Sequence, residues 1–229
     1  MVRSIGNLFI LGDSYSTFDG YIPQGYATYY KNEGPHYCTR VNGEASDPQT
    51  DVFDVTQTWW NQFIRETDAD LLQNCSWSGT TVCHTGYDGR DTSANSFIGR
   101  LDMLIEQGYF RANRVDTLIV FGGTNDSWAN SPIGEIMYTD WKKEDLYFVL
   151  PAFCYMLHRL VTNLPEANLL CVINTELKPE ITNGFRAACE HYGVDFVELN
   201  AIDKKCGHPT VKGMAQIKDQ ILDRLTMRS

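Results

Sequence analysis

Positive charge is scarce in this sequence: 19 Lys and Arg residues stand against 29 Asp and Glu, a net charge of −10 at pH 7 over 229 residues. That balance repels a nucleic-acid backbone and an anionic membrane surface, so neither is expected as a partner, whereas a small neutral substrate meets no such barrier. Long apolar runs are missing too. No stretch approaches the roughly 18 apolar residues of a membrane span, and the start of the chain has one Arg and an apolar core too short for a secretory signal. The seven cysteines, Cys38, Cys75, Cys83, Cys154, Cys171, Cys189 and Cys206, include no Cys-x-x-Cys pair. An odd, scattered set fits neither a disulfide framework nor a zinc ribbon, which points to mostly buried thiols in a reducing, cytoplasmic setting. Repeats, low-complexity tracts and linker-like segments are also lacking, so residues 1–229 read as a single domain.

What is present is a steady alternation of short apolar runs with segments of helical period. Residues 8–11, 70–75, 117–121, 169–173 and 194–199 read as five strands. Between and after them, residues 58–66, 96–108, 153–164, 179–192 and 211–225 place apolar side chains on one helical face. Five such strand–helix units predict a parallel sheet covered on both faces, a flavodoxin-like three-layer α/β sandwich. Two connections are unusually long. Residues 15–55 form an insertion rich in Gly and Pro that holds Tyr15, Tyr21, Tyr26, Tyr29, Tyr30 and Tyr37, and residues 124–144 carry Trp128, Tyr138 and Trp141. The tyrosine-rich segment is read either as a packed surface excursion or as a wall facing substrate. Trp59-Trp60 reads as core.

Four loops at predicted strand ends carry groups able to do chemistry: Gly12-Asp13-Ser14 after the first strand, Gly79 after the second, Gly123-Thr124-Asn125-Asp126 after the third, and His208-Pro209 before the last helix. In a doubly wound sheet all four fall on one rim. Taken singly, each has a plain structural use: Ser14 as a cap, Asn125 and Gly79 as turn residues, His208 as a helix-start residue. Together and in this order they resemble the SGNH (GDSL-type) ester hydrolase superfamily, with Tyr15 where many members have Leu. The resemblance spans nearly the whole chain and implies a serine ester hydrolase with Ser14 as nucleophile and His208 as base. It also implies an oxyanion hole made by the N–H groups of Ser14 and Gly79 and the Asn125 amide. These are the groups acyl transfer requires: a serine needs a base to take its proton, and the tetrahedral oxyanion needs fixed donors.

One position departs from the family pattern, which has Asp three residues before the His; here that residue is Lys205. The nearest carboxylate is Asp203, which is taken as the preferred third member. A backbone carbonyl near Lys205, or a dyad with no acid, are the other readings. Asp13 is expected to hold the nucleophile loop through local hydrogen bonds. Tyr15, Trp77 and Trp128 are candidates for substrate contact. Cys206-Gly207-His208 and Cys83-His84 look like fragments of metal sites, but no second pair completes them, and His36, His84, His158 and His191 have no ligand spacing. Neither a metal nor a cofactor is expected. The substrate reads as a small or mid-sized neutral ester, such as an acylated carbohydrate. A flavodoxin-like binding module and a catalytically inactive carbohydrate-binding relative are the competing readings.

Overall fold

The computed structural model describes residues 4–32, 37–41, 44–48 and 50–226, with side chains described at 4–32 and 50–226. In chain order the first half contains β1 (Asn7–Gly12), β2 (Tyr37–Val41), β3 (Glu44–Pro48), α1 (Trp59–Glu66), β4 (Asp70–Ser76), α2 (Phe97–Glu106) and α3 (Tyr109–Ala112). The second half contains β5 (Thr117–Gly122), α4 (Thr124–Trp128), α5 (Val149–Asn163), β6 (Asn168–Ile173), α6 (Pro179–Tyr192), β7 (Asp195–Glu198), β8 (Lys204–Lys205), β9 (His208–Pro209) and α7 (Val211–Thr226).

Strands β4, β1, β5, β6 and β7 lie side by side in that order, all parallel. This is the flavodoxin-like winding that the alternation predicts. Successive strand residues face opposite layers, and both layers are apolar. Phe9 and Leu11, Leu118 and Val120, and Cys171 and Ile173 join α2, α5 and α6 in one core. Leu8 and Ile10, Ile119 and Phe121, and Leu170 and Val172 join α1 and α7 in the other. Trp59 and Trp60 are buried in this second core. Each fully buried Leu, Ile, Val or Phe stabilises by roughly 1.5–3 kcal/mol, which is why these strands are continuous apolar runs.

Helix boundaries follow local chemistry. Ser96 caps α2, its Oγ accepting from the N–H of Gly99 at 3.1 Å. Helix α5 starts at Val149, earlier than the apolar period suggests, because Pro151 fits within a first turn whose N–H groups have no helical partner. Within the 15–55 insertion, β2 and β3 form an antiparallel hairpin. The sequence reading has only a connection there, since the segment lacks the apolar alternation that marks a half-buried strand. The second long connection begins with α4 and then packs away from the rim: Tyr138 stacks on His191 at 3.8 Å and Trp141 meets Tyr155 at 5.5 Å.

Strand register sets the position of the loops. Gly12 pairs with Ser76 and with Phe121, and Gly122 pairs with Ile173, so four chain segments leave the sheet at one level. No helix among the described residues is long and apolar enough to cross a membrane.

Candidate active site

Ser14 opens a one-turn 3-10 helix, Ser14–Ser16, capped by Asp13, whose Oδ1 accepts from the N–H of Tyr15 at 3.1 Å. The turn is fixed from three sides. Thr17 Oγ1 donates to the Ser14 carbonyl at 3.0 Å, Trp59 Nε1 donates to Ser16 Oγ at 3.1 Å, and Asn74 Nδ2 donates to the Ser16 carbonyl at 2.8 Å.

His208 comes to this turn on the small β8–β9 hairpin. Its Nε2 lies 2.9 Å from Ser14 Oγ, and its Nδ1 lies 3.3 Å from the Cys206 carbonyl. A carbonyl can only accept, so the proton sits on Nδ1 and Nε2 is left to receive the serine hydroxyl. The ring is 8% exposed. Burial, reinforced by the nearby Lys204 ammonium and opposed by the Cys206 carbonyl, lowers its pKa to about 4, so the imidazole is neutral at pH 7.

Asp203 is not brought to this ring. Its carboxylate instead accepts from the Thr210 hydroxyl, and Thr210 Oγ1 in turn accepts from the N–H of Gly213 at 3.1 Å at the start of α7. Cys206 and Gly207 adopt left-handed φ values of 49° and 77° between β8 and β9. That reversal lays His208 beside Lys205 and leaves Asp203 to hold the head of the last helix. The expected Asp203–His208 pair is therefore corrected to a Cys206 carbonyl–His208 contact. Cys75, Cys83, Cys154, Cys171 and Cys189 are buried free thiols, as the scattered cysteines predict; Cys206 differs in being disulfide-bonded.

Candidate donors lie on the same rim as Ser14. Among the described residues, the backbone N–H groups of Ser14 and Gly79 have no protein acceptor. Gly79 has φ +79° and nothing within 4 Å of where a Cβ would stand, so the backbone there is both left-handed and open to an approaching group. Asn125, at the start of α4, is held at both ends of its amide. Tyr87 donates to Oδ1 at 2.8 Å, and Nδ2 makes a long 3.4 Å contact with Asp13 Oδ2. Asp126 accepts from the N–H groups of Val82 and Cys83, each at 3.2 Å or less, and so ties this loop to the one after β4. Beneath them Arg100, fully buried, donates to the carbonyls of Gly12, Cys75 and Asn95 and to Thr80 Oγ1. Burial raises the pKa of Asp13 to about 7 and that of Asp126 to about 6.

The aromatic residues divide into supports and rim. Tyr15, expected against substrate, is fully buried and donates to the Gly207 carbonyl. Tyr30 is also buried and donates to the Pro209 carbonyl at 3.0 Å. Tyr29 lies flat on the His208 ring, centroids 3.6 Å apart and planes 9° apart. Trp77 stacks on Tyr26 at 4.1 Å, and Trp128, 41% exposed, meets His208 at 5.5 Å. His36 and the side chains of Tyr37 and Cys38 lie outside the described residues. His84 bonds Ser96 Oγ, and no cluster of three or more metal-ligating side chains occurs among the described residues.

Arg100 and Tyr87 escaped the sequence reading: an Arg within a helical period reads as a solvated charge, and a lone Tyr carries no motif. Tyr29 enters that reading only as part of the tyrosine-rich segment, and the Cys206 carbonyl is the backbone-carbonyl alternative to Asp203.

Comparison with known proteins bears on the family. The chain matches the GDSL-like lipase/acylhydrolase family model over residues 6–225. A solved structure from Bacteroides ovatus ATCC 8483, assigned as a GDSL-like lipase, is 42% identical, with 99% of each chain covered and a TM-score of 0.84. Another with the same assignment, from Bacteroides uniformis ATCC 8492, is 41% identical, covers 98% of this chain and 96% of its own, and also has a TM-score of 0.84. A family two carbohydrate esterase from Clostridium thermocellum, solved with cellohexaose, shares the fold at 15% identity, a TM-score of 0.61, 99% of this chain and 65% of that one. No curated protein matches in sequence. With a family match from the first sheet strand to the last helix, and two near full-length relatives at 41% and 42% identity, this chain belongs to the GDSL-like lipase/acylhydrolase family and is an SGNH-type esterase.

Proposed function

We propose that the chain hydrolyses esters with a short acyl group and a neutral, carbohydrate-like alcohol, using Ser14 and His208 as a dyad. The observation that carries this reading is the 2.9 Å contact between Ser14 Oγ and the unprotonated Nε2 of His208. His208 takes the hydroxyl proton as Ser14 Oγ attacks the ester carbonyl carbon. The Cys206 carbonyl holds Nδ1–H and with it the reactive tautomer. The oxyanion is met by the N–H groups of Ser14 and Gly79 and by Asn125 Nδ2, each such donor worth about 10²–10³ in rate. His208 returns its proton to the leaving alcohol, and water then cleaves the acyl-enzyme by the reverse sequence.

Access supports the substrate class. Ser14 is only 2% exposed, which suits a short acyl chain, whereas Tyr87 at 39% and Trp128 at 41% offer ring faces at the surface for the alcohol. The net charge of −10 disfavours anionic esters.

The test is a series of p-nitrophenyl esters of rising acyl length followed by acetylated sugars, run on the parent and on Ser14→Ala. Acetate should be the fastest acyl group, and Ser14→Ala should lose on the order of 10⁴–10⁶ in turnover. A long-chain ester turned over faster than acetate would overturn the substrate class. An active Ser14→Ala, or a parent that fails to label with a fluorophosphonate, would overturn the dyad itself.

A further inference from the structure

A histidine base needs two services from its partner: a fixed orientation, and compensation for the positive charge it carries after taking the serine proton. In this site neither comes from a carboxylate. The Cys206 carbonyl accepts Nδ1–H at 3.3 Å, long for such a bond, and one hydrogen bond leaves the ring free to tilt. The groups facing the imidazole are Ser14 and Tyr15 from the nucleophile turn, Tyr29 and Tyr30 from the following connection, Trp128 from α4, and Lys204 and Cys206 from the β8–β9 hairpin. The formal charge among them, on Lys204, has the wrong sign.

From this geometry we infer that Tyr29 is the positioning residue of the base. Its ring, parallel to the imidazole at 3.6 Å and 9°, fixes the plane in which Nε2 meets Ser14 and offers an electron-rich face to the imidazolium. Tyr15, Trp128 and Tyr30 meet the same ring at 49°, 64° and 80°, so among the described rings Tyr29 alone lies flat on it. The stack is built into the nucleophile turn. Thr17 Oγ1 donates to the Ser14 carbonyl at 3.0 Å and accepts from the N–H of Tyr29 at 2.9 Å, so one hydroxyl spaces nucleophile and ring. Asp19 N–H bonds the Tyr30 carbonyl at 3.0 Å, and the buried Tyr30 reaches Pro209. The aromatic face thus does the work of the missing acid, for a base whose acylating role is the reading proposed above.

The experiment compares Tyr29→Leu, Tyr29→Phe and pentafluorophenylalanine at position 29, with Ser14→Ala alongside. Readouts are kcat and KM for p-nitrophenyl acetate, and the His208 titration followed by NMR. Tyr29→Leu should lose on the order of 10–30-fold in kcat with KM within about twofold, and its His208 pKa should fall. Tyr29→Phe keeps the face and should stay within about threefold of the parent. The fluorinated ring keeps the shape but reverses the quadrupole, so it should resemble Leu and serves in its place if Tyr29→Leu does not fold. Equal kcat in the phenyl and fluorinated rings, or a loss confined to KM, would overturn the role of Tyr29. An active Ser14→Ala would instead overturn the dyad on which it rests.

Discussion

At His208, burial and the Lys204 ammonium hold the imidazole neutral down to about pH 4. The protonated ring cannot receive the serine proton, so activity is lost as pH falls through that value rather than through the usual histidine range. The unfolded imidazole titrates near 6.5, so its contribution to stability is present above that pH and is also lost as pH falls toward 4. Measuring kcat/KM beside circular dichroism between pH 3.5 and 8 (~0.5-unit steps) separates the two declines, and a His208 imidazole that titrates near 6.5 by NMR would contradict the buried, acid-free base. Asp203→Asn should leave both rate and limb nearly unchanged, because an amide oxygen can still accept from Thr210. A limb moving to lower pH in that variant would return Asp203 to the ring. Tyr87 acts at the same scale. By donating to Asn125 Oδ1 at 2.8 Å it fixes the orientation of the amide proposed as an oxyanion donor. Tyr87→Phe should cost about tenfold in kcat with little change in KM, less than removing the Asn125 donor outright. The same change in an Asn125→Ala background should cost nothing more, and an additive loss would mean that Tyr87 acts on substrate instead.

Helix α2 contributes more to the site than its apolar face suggests. Arg100 hangs from it into the interior and joins the ends of β1 and β4 to the loop at Thr80. Arg100→Met should destabilise by at least about 3 kcal/mol in denaturant melts, since several buried acceptors lose their donor at once; a change under 1 kcal/mol would show that water replaces it. Sequence reading recovered the elements whose period is long enough to register. Residues 117–121 form a strand buried at every position, and the apolar face over 211–225 could only be a helix. It missed α4, which is five residues long, and β8 and β9, which are two each, because no period develops over such lengths. It also missed β2 and β3, whose residues carry no apolar alternation.

At the scale of the whole molecule, parallel winding explains why the site was legible at all. Once the strands alternate with helices, every loop after a strand falls on one rim, so Ser14, Gly79 and Asn125 converge there whatever lies between them. His208 joins them from a hairpin. The choice between Asp203 and a backbone carbonyl as its partner was not legible, because the outcome depends on the sign of φ at Cys206 and Gly207, which residue types alone do not specify. The acceptor that orients His208 is thus part of the main chain, and this changes what mutation can do to the site. A side-chain acid can be deleted by one codon change; a peptide carbonyl cannot. At Cys206 and Gly207, substitutions reach that acceptor by bending the hairpin rather than by removing it. The tolerated alphabet there is set by which residues accept a left-handed turn, and a mutational scan of this active-site segment would read as a map of backbone shape.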